Sequence, residues 1–120
     1  MSKYHSRKVK KDGMTFDSIK EYSRWCDLVK LERAGKIFDL KRQVRFTLIP
    51  TQREFCCEIG KNGRFKKGKV LERSVVYVAD FTYMQDGKYI VEDVKGVKTD
   101  VYIIKRKLML KEFGIRIKEV

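Results

Sequence analysis

The chain of 120 residues has one histidine, one proline and three cysteines, and its longest unbroken apolar run is the five residues 75–79. Each scarcity excludes something. A run of five falls far short of the about 20 apolar residues that span a bilayer, and Met1-Ser2-Lys3-Tyr4-His5 opens no signal-peptide core. A soluble, cytoplasmic protein is expected. Cys26, Cys56 and Cys57 form no Cys-x-x-Cys pair and no Cys/His set at zinc-finger spacing. The adjacent Cys56 and Cys57 would point to opposite faces of a strand, which suits a disulfide poorly. All three read as small apolar residues in a reducing compartment. The lone His5 sits in a basic stretch, where no catalytic role is expected.

Acidic residues are few as well. Sixteen Asp and Glu face 29 Lys and Arg, a net charge of +13. On so small a domain that excess goes beyond what solubility needs and points to a polyanionic partner. It is concentrated in two stretches. Residues 1–12 form a basic arm with Lys3, Arg7, Lys8, Lys10 and Lys11, and the glycine-punctuated loop 60–69 carries Lys61, Arg64, Lys66, Lys67 and Lys69. Both are expected to be mobile and to contact nucleic-acid phosphates by counterion release. The plainer alternative is a solvated tail and loop tip. Neither stretch is clearly amphipathic with large apolar residues, so an anionic membrane surface is the weaker partner. What is plentiful, 42% hydrophobic residues including 12% aromatics, rules out wholesale disorder. It suits a single domain over 13–120.

Local signals order the elements. Ser18-Ile19-Lys20-Glu21 fits a capping box, and Ile19, Tyr22, Cys26 and Val29 recur at helical spacing up to Gly35, which predicts a first helix over 17–34. Short strands are expected at 44–49 and, beyond Pro50, at 55–59. A longer strand follows within 70–83 and pairs with 88–95 across Asp86-Gly87, a type I′ hairpin signal. Asp100 is expected to cap a second helix reaching Phe113, Gly114 to stop it, and 115–120 to form a last strand. The fold class is α/β (α+β): helix, antiparallel strands, helix, strand.

The hairpin register concentrates the chemistry. If Gln85 faces Lys88, Asp80 lies directly opposite Asp93 on one face of the sheet, with Cβ atoms about 4.5–5.5 Å apart, where two carboxylates repel. Period 2 places Lys95 on the same face and turns Glu92 and Val94 away. A divalent cation between Asp80 and Asp93 would offset the repulsion, and Mg²⁺ commonly takes one or two carboxylates plus waters and phosphate oxygens. That is a phosphodiester-cleaving site in outline, with Lys95 orienting water or stabilising transition-state charge. The alternative is an exposed polar face on which Lys95 balances Asp93. Glu21 borders the apolar face of the first helix beside Trp25 and Leu28, although completing the capping box could be its whole role. Glu32 lies close to the same helical angle. Lys105 falls within an apolar stripe between Val101 and Met109, where snorkelling is the usual explanation.

Phe16-Asp17-Ser18-Ile19-Lys20-Glu21, Tyr77-Val78-Ala79-Asp80-Phe81, Val91-Glu92-Asp93-Val94-Lys95-Gly96 and Thr99-Asp100-Val101-Tyr102 together resemble the PD-(D/E)xK nuclease superfamily. More narrowly, the chain looks like short phage and prophage proteins related to Holliday-junction-resolving endonucleases. The resemblance runs from about Gly13 to Val120, with Ala79 where the superfamily's name has proline. It implies a restriction-endonuclease-like core of helix, three antiparallel strands, helix and strand. It also implies Glu21, Asp80, Asp93 and the Val94 carbonyl as ligands for Mg²⁺, with Mn²⁺ as substitute, and Lys95 as the assisting lysine. Lys105 would be at most auxiliary. The expected function is a metal-dependent DNA endonuclease, acting on branched DNA in phage recombination or processing, in the host cytoplasm if phage-encoded. Symmetric cutting of a four-way junction needs two active sites, so a homodimer is expected. The rivals are a nucleic-acid-binding module with a vestigial acidic patch, and an interaction protein that captures an acidic partner.

Overall fold

The structure, a computed structural model, describes residues 8–120. Lys3, His5 and Arg7 lie outside the described residues. In chain order the elements are β1 (Val9–Lys11), β2 (Met14–Phe16), α1 (Ile19–Arg33), β3 (Phe38–Ile49), β4 (Gln52–Arg53), β5 (Val70–Glu72), β6 (Val75–Gln85), β7 (Lys88–Asp93), α2 (Asp100–Phe113) and β8 (Lys118–Glu119). The central sheet has the order β3-β6-β7-β8, antiparallel except for the parallel pair β7–β8. Two helices and a mixed sheet agree with the α/β class read from the sequence. No described helix is long and apolar enough to cross a membrane.

Several sequence signals act as expected. Ser18 caps α1, its Oγ accepting from the Glu21 N–H at 3.1 Å. The reciprocal bond of the box is shifted by one residue, the Asp17 N–H donating to Glu21 Oε2 at 3.0 Å. Asp86 and Gly87 have φ of +52° and +76°, the pair of left-handed residues that a type I′ turn requires. From Gln85↔Lys88 the anticipated register runs unbroken to Phe81↔Glu92.

Other expectations need correction. Thr99, not Asp100, caps α2, with its Oγ1 accepting from the Tyr102 N–H. Residues 55–59 are not a strand of the sheet, and the first sheet strand is instead the twelve-residue β3. Residues 52–72 form a separate antiparallel ribbon in which β4 pairs with β5 and Ile59 bridges to Phe65. Its signals are faint because its pairs are short and none of residues 50–74 is buried, so no apolar alternation marks them. Only two residues of 115–120 join the last strand. Lys10 and Lys11 belong to a β1–β2 hairpin turning at Asp12-Gly13 rather than to a free arm.

The two helices pack on opposite faces of the sheet. Leu28, Ile37, Phe81 and Tyr83 form one buried cluster, into which Trp25 of α1 stacks on Phe81. Tyr102 and Met109 of α2 join Leu48, Tyr77, Ala79 and Val91 in the other. Neighbouring β7 residues divide between these faces: Glu92 meets Tyr83 and α1, and Asp93 meets Tyr77. Tyr77 and Tyr83 are an even number of residues apart, which in a regular strand means one face. They lie on opposite faces, so the alternation of β6 is interrupted between Ala79 and Phe81, at Asp80. Across from Asp80, between the pairs Arg42↔Phe81 and Val44↔Ala79, stands Gln43 with φ +52°.

Glu92 has no solvent exposure. Burial alone would raise its carboxyl pKa, but a bidentate pair with Arg24, at 2.8 and 2.7 Å, and the Tyr83 hydroxyl outweigh that and hold it below the usual value. Removing one partner of such a pair strands a buried charge. Arg24→Met is therefore expected to lower stability by about 3 kcal/mol, and adding Glu92→Gln to recover part of the loss, both read from urea unfolding midpoints. An Arg24→Met protein of undiminished stability would contradict this account.

Candidate functional site

The site forms where β6 and β7 part. Their ladder ends at Phe81↔Glu92, one step before Asp80 and Asp93, and β7 continues by pairing with β8. The Val120 N–H donates to the Asp93 carbonyl at 3.0 Å, and the Lys95 N–H to that of Val120 at 3.2 Å. The Val94 N–H is thereby turned to the Asp80 side chain, donating to Oδ2 at 2.8 Å. A cleft of about 280 Å³ opens at the divergence, lined by Asp17, Ser18, Lys20, Glu21, Asp80, Val94, Lys95 and Gly96. The first turn of α1 thus faces Val94, Lys95 and Gly96 across it.

Asp93 lies behind the cleft, only 2% exposed. Its Oδ2 accepts from the Tyr77 hydroxyl, and its Oδ1 is 3.2 Å from Lys95 Nζ. The same Nζ sits 4.3 Å above the Tyr102 ring, a cation–π contact that helps to fix the ammonium. Tyr102 is anchored in turn by its hydroxyl, which donates to Glu119 at 2.6 Å. Glu119 also takes Arg106 and Lys98 at 3.2 and 3.3 Å.

Glu21, 3% exposed, holds the opposite wall. Its Oε2 is engaged by the Asp17 N–H, and its Oε1 accepts from Gln43 Nε2 at 3.3 Å. Burial raises its pKa against the lowering pull of the Asp17 N–H and of Arg42. The Arg42 guanidinium lies 4.1 Å above the Phe16 ring and donates from Nη2 to the Thr15 carbonyl, while its Nε is buried without a partner. At Asp80, burial and then the Asp93 carboxylate push the carboxyl up to about 8, against the lowering effect of the Val94 N–H. Glu21 adds to the rise.

Glu21, Asp80, Asp93, Val94 and Lys95 are therefore brought together. Glu32 is not: its Oε2 accepts from the Leu40 N–H at 2.9 Å, at the start of β3. Lys105 stands outside the cleft, in a neighbouring depression of about 280 Å³ with Tyr77, Lys95 and Tyr102. Lys8, Lys10 and Lys11, and Lys61, Arg64, Lys66, Lys67 and Lys69, are exposed and line neither concavity. Sequence reasoning missed Tyr77, Gln43 and Tyr102. Tyr77 lies three residues before Asp80, on the wrong parity to reach Asp93 in a regular strand, and nothing local announces the interruption that delivers it.

The donor set suits a hard divalent cation. Glu21 and Asp80 line the cleft with Asp93 behind them, and the Asp80 pKa is raised by burial first and by the Asp93 carboxylate second. Among the described residues, however, no three His, Cys, Asp or Glu side chains already meet as a metal-binding group. Glu21 is turned to Asp17 and Gln43, and Asp93 to Tyr77 and Lys95. Glu21, Asp80 and Asp93 are the side chains that would hold a cation there.

The elevated Asp80 pKa makes stability depend on pH. The folded chain keeps a proton there that the unfolded chain releases between the ordinary value of 3.8 and about 8. This contribution is complete below pH about 4 and is lost as the pH rises toward 8. In metal chelator the melting temperature is expected to fall between pH 5 and pH 8, and Asp80→Asn to flatten that fall. At pH 8 the variant should be the more stable by an amount on the order of 1 kcal/mol, allowing for screening of a half-buried group. A thermal melt showing Asp80→Asn clearly less stable at pH 8 would overturn the account of repelling carboxylates.

Comparison with curated proteins and with solved structures gives no match. Residues 1–119 match the model of a family described as "Protein of unknown function (DUF1064)", and the chain belongs to that family.

Proposed function

We propose that the protein is a Mg²⁺-dependent DNA endonuclease with a restriction-endonuclease-like core, selective for branched DNA. The observation that carries this reading is the meeting of Asp80, Asp93 and Lys95 at the parting of β6 and β7, opposite the buried Glu21 of α1. Glu21, Asp80 and Asp93, with the Val94 carbonyl, would hold the cation. A divalent cation in such a site lowers the pKa of water and neutralises charge on a phosphate.

This chain's own residues supply the rest. Lys95 Nζ, tied to Asp93 and seated on Tyr102, is positioned at the cleft wall, where it orients water and stabilises charge developing on the phosphate. Tyr77 keeps the second Asp93 oxygen in place. Gln43 and the Asp17 N–H set the rotamer of Glu21. The exposed lysines and arginines of 8–11 and 61–69 hold the DNA backbone, with the salt-dependent and sequence-tolerant affinity of phosphate contacts.

Cleavage of a labelled four-way junction and a matched linear duplex tests the proposal. Junction cutting is expected with Mg²⁺, and neither with Ca²⁺ nor in chelator. Asp93→Ala and Lys95→Ala should each lower the rate at least 100-fold, as removal of a transition-state-stabilising group does, without abolishing binding. Tight binding without cleavage would shift the assignment to a nucleic-acid-binding module. Equal cutting of both DNAs would keep the enzyme and discard the branch selectivity. Two symmetric incisions need two sites, so sedimentation should find two chains per junction, and a single bound chain would argue against the dimer.

A further inference from the structure

The ribbon of residues 52–72 leaves large apolar side chains in water. Phe55 is 92% exposed, Phe65 72% and Ile59 65%. These side chains are not on a loose loop. The Glu54 N–H donates to the Lys69 carbonyl at 2.8 Å, the Lys66 N–H to that of Glu58 at 2.8 Å, and the Gly60 N–H to that of Arg64 at 2.7 Å. Gly68 packs so closely on the opposite strand that a Cβ there would lie 1.7 Å from the Glu54 carbonyl oxygen, so only glycine fits. The ribbon stands clear of the core, since none of residues 50–74 is buried and β4 and β5 pair only with each other. The radius of gyration, 18.6 Å, reflects this, against about 14 Å for a compact chain of this length.

Its chemistry points to one occupant. Residues 50–74 hold seven Lys and Arg against three Glu, and the tip 60–69 holds five basic residues and no acidic one. A second copy would bring the same positive charge against it, whereas a nucleic acid brings phosphates. The ion pair of Lys66 with Glu58 at 3.6 Å, the one in the tip region among the described residues, is exposed on both sides and leaves Lys66 free to exchange partners. Ile59 and Phe65 are bridge partners and so share one ribbon face, and the basic Arg64 and Lys66 stand on either side of Phe65 in the chain. A two-stranded ribbon fits a DNA groove, and apolar side chains presented there between basic ones act as wedges that unstack base steps.

We propose that Phe65, backed by Ile59, is a wedge that the ribbon inserts at an unstacked or easily unstacked base step, with Lys61, Arg64, Lys66 and Lys67 gripping the flanking phosphates. This rests on the DNA-binding reading above and adds the source of its selectivity. An intact duplex must be unstacked to admit the ring, whereas a branch point is readily opened. Phe65 is thus a specificity residue remote from the acidic cleft.

The test uses the full-length protein in Ca²⁺ with a four-way junction and a duplex, each carrying 2-aminopurine at the branch point or the equivalent step. Binding of the unaltered protein to the junction should raise the fluorescence several-fold. Phe65→Ala should abolish the rise and reduce the junction-over-duplex preference about tenfold, the scale of one lost base stack. Phe65→Leu should retain most of both. Lys66→Gln with Lys67→Gln should weaken junction and duplex alike while keeping the rise at saturation. If Phe65→Ala binds DNA and keeps both rise and preference, the wedge is wrong and the DNA reading stands. If the unaltered protein shows no salt-dependent binding to either DNA, both fail. Conversion of a DNA-free dimer to monomer by Phe65→Ala would give the surface to a second copy and overturn the wedge.

Discussion

The arrangement of this molecule depends on the placing of two acids, Asp80 and Asp93, where β6 and β7 stop pairing. Two carboxylates side by side in a half-buried sheet are unfavourable, and the ladder ends one step short of them. Backbone groups released from that ladder take new partners. The Val94 N–H goes to the Asp80 carboxylate, and the edge beyond Asp93 goes to Val120. The parting of the strands, the parallel addition of β8 and the cleft between them are therefore one event seen from three sides. Interruption of side-chain alternation at Asp80, opposite the left-handed Gln43, belongs to the same event. It places Tyr77 against Asp93 and leaves Asp80 at the cleft surface with Glu21.

The neighbouring acid shows how differently one strand can treat two carboxylates. Glu92 and Asp93 are consecutive and equally buried, yet the sheet lies between them. On the α1 face Glu92 is matched by a full guanidinium fork and the Tyr83 hydroxyl, so its charge is satisfied and its role is cohesion between α1 and the sheet. On the other face Asp93 has one ammonium and one hydroxyl, with a second carboxylate close by. The partners differ, a guanidinium fork on one face and a single ammonium beside a second acid on the other, and that separates the candidate site from the structural ion pair.

What the sequence made legible follows the same physics. Asp86-Gly87 allows one tight turn and hence one register, so the meeting of Asp80, Asp93 and Lys95 could be read from residue numbers. Ser18 and Gly114 marked helix ends because cap geometry is local. Glu21 and Glu32 could not be separated, since both lie near one helical angle, and the choice depends on where β3 begins: Leu40 takes Glu32 for its N–H. The ribbon was illegible for another reason. Alternation reveals a strand only when one face is buried, and this ribbon has no buried face. Tyr77 was hidden by the interruption of β6, which arises from tertiary contacts and not from any residue with a local preference for it.

Charge distribution ties the proposed function to the fold. A chain of net charge +13 nevertheless brings Glu21 and Asp80 to a single cleft with Asp93 behind it, and on β7 buries two successive acids. Phosphates drawn to the basic ribbon and hairpin would meet repulsion at that cleft, because at close range in a partly desolvated place local charge outweighs the screened field of distant lysines. Lys95 alone reverses the sign only in part, being already paired with Asp93. In the proposed reading, a cation held by the carboxylates would remove both repulsions together, that between the acids and that between acid and phosphate. An acidic centre within a basic surface is thus a coherent arrangement for a protein that grips a polyanion at many places and admits it to chemistry at one.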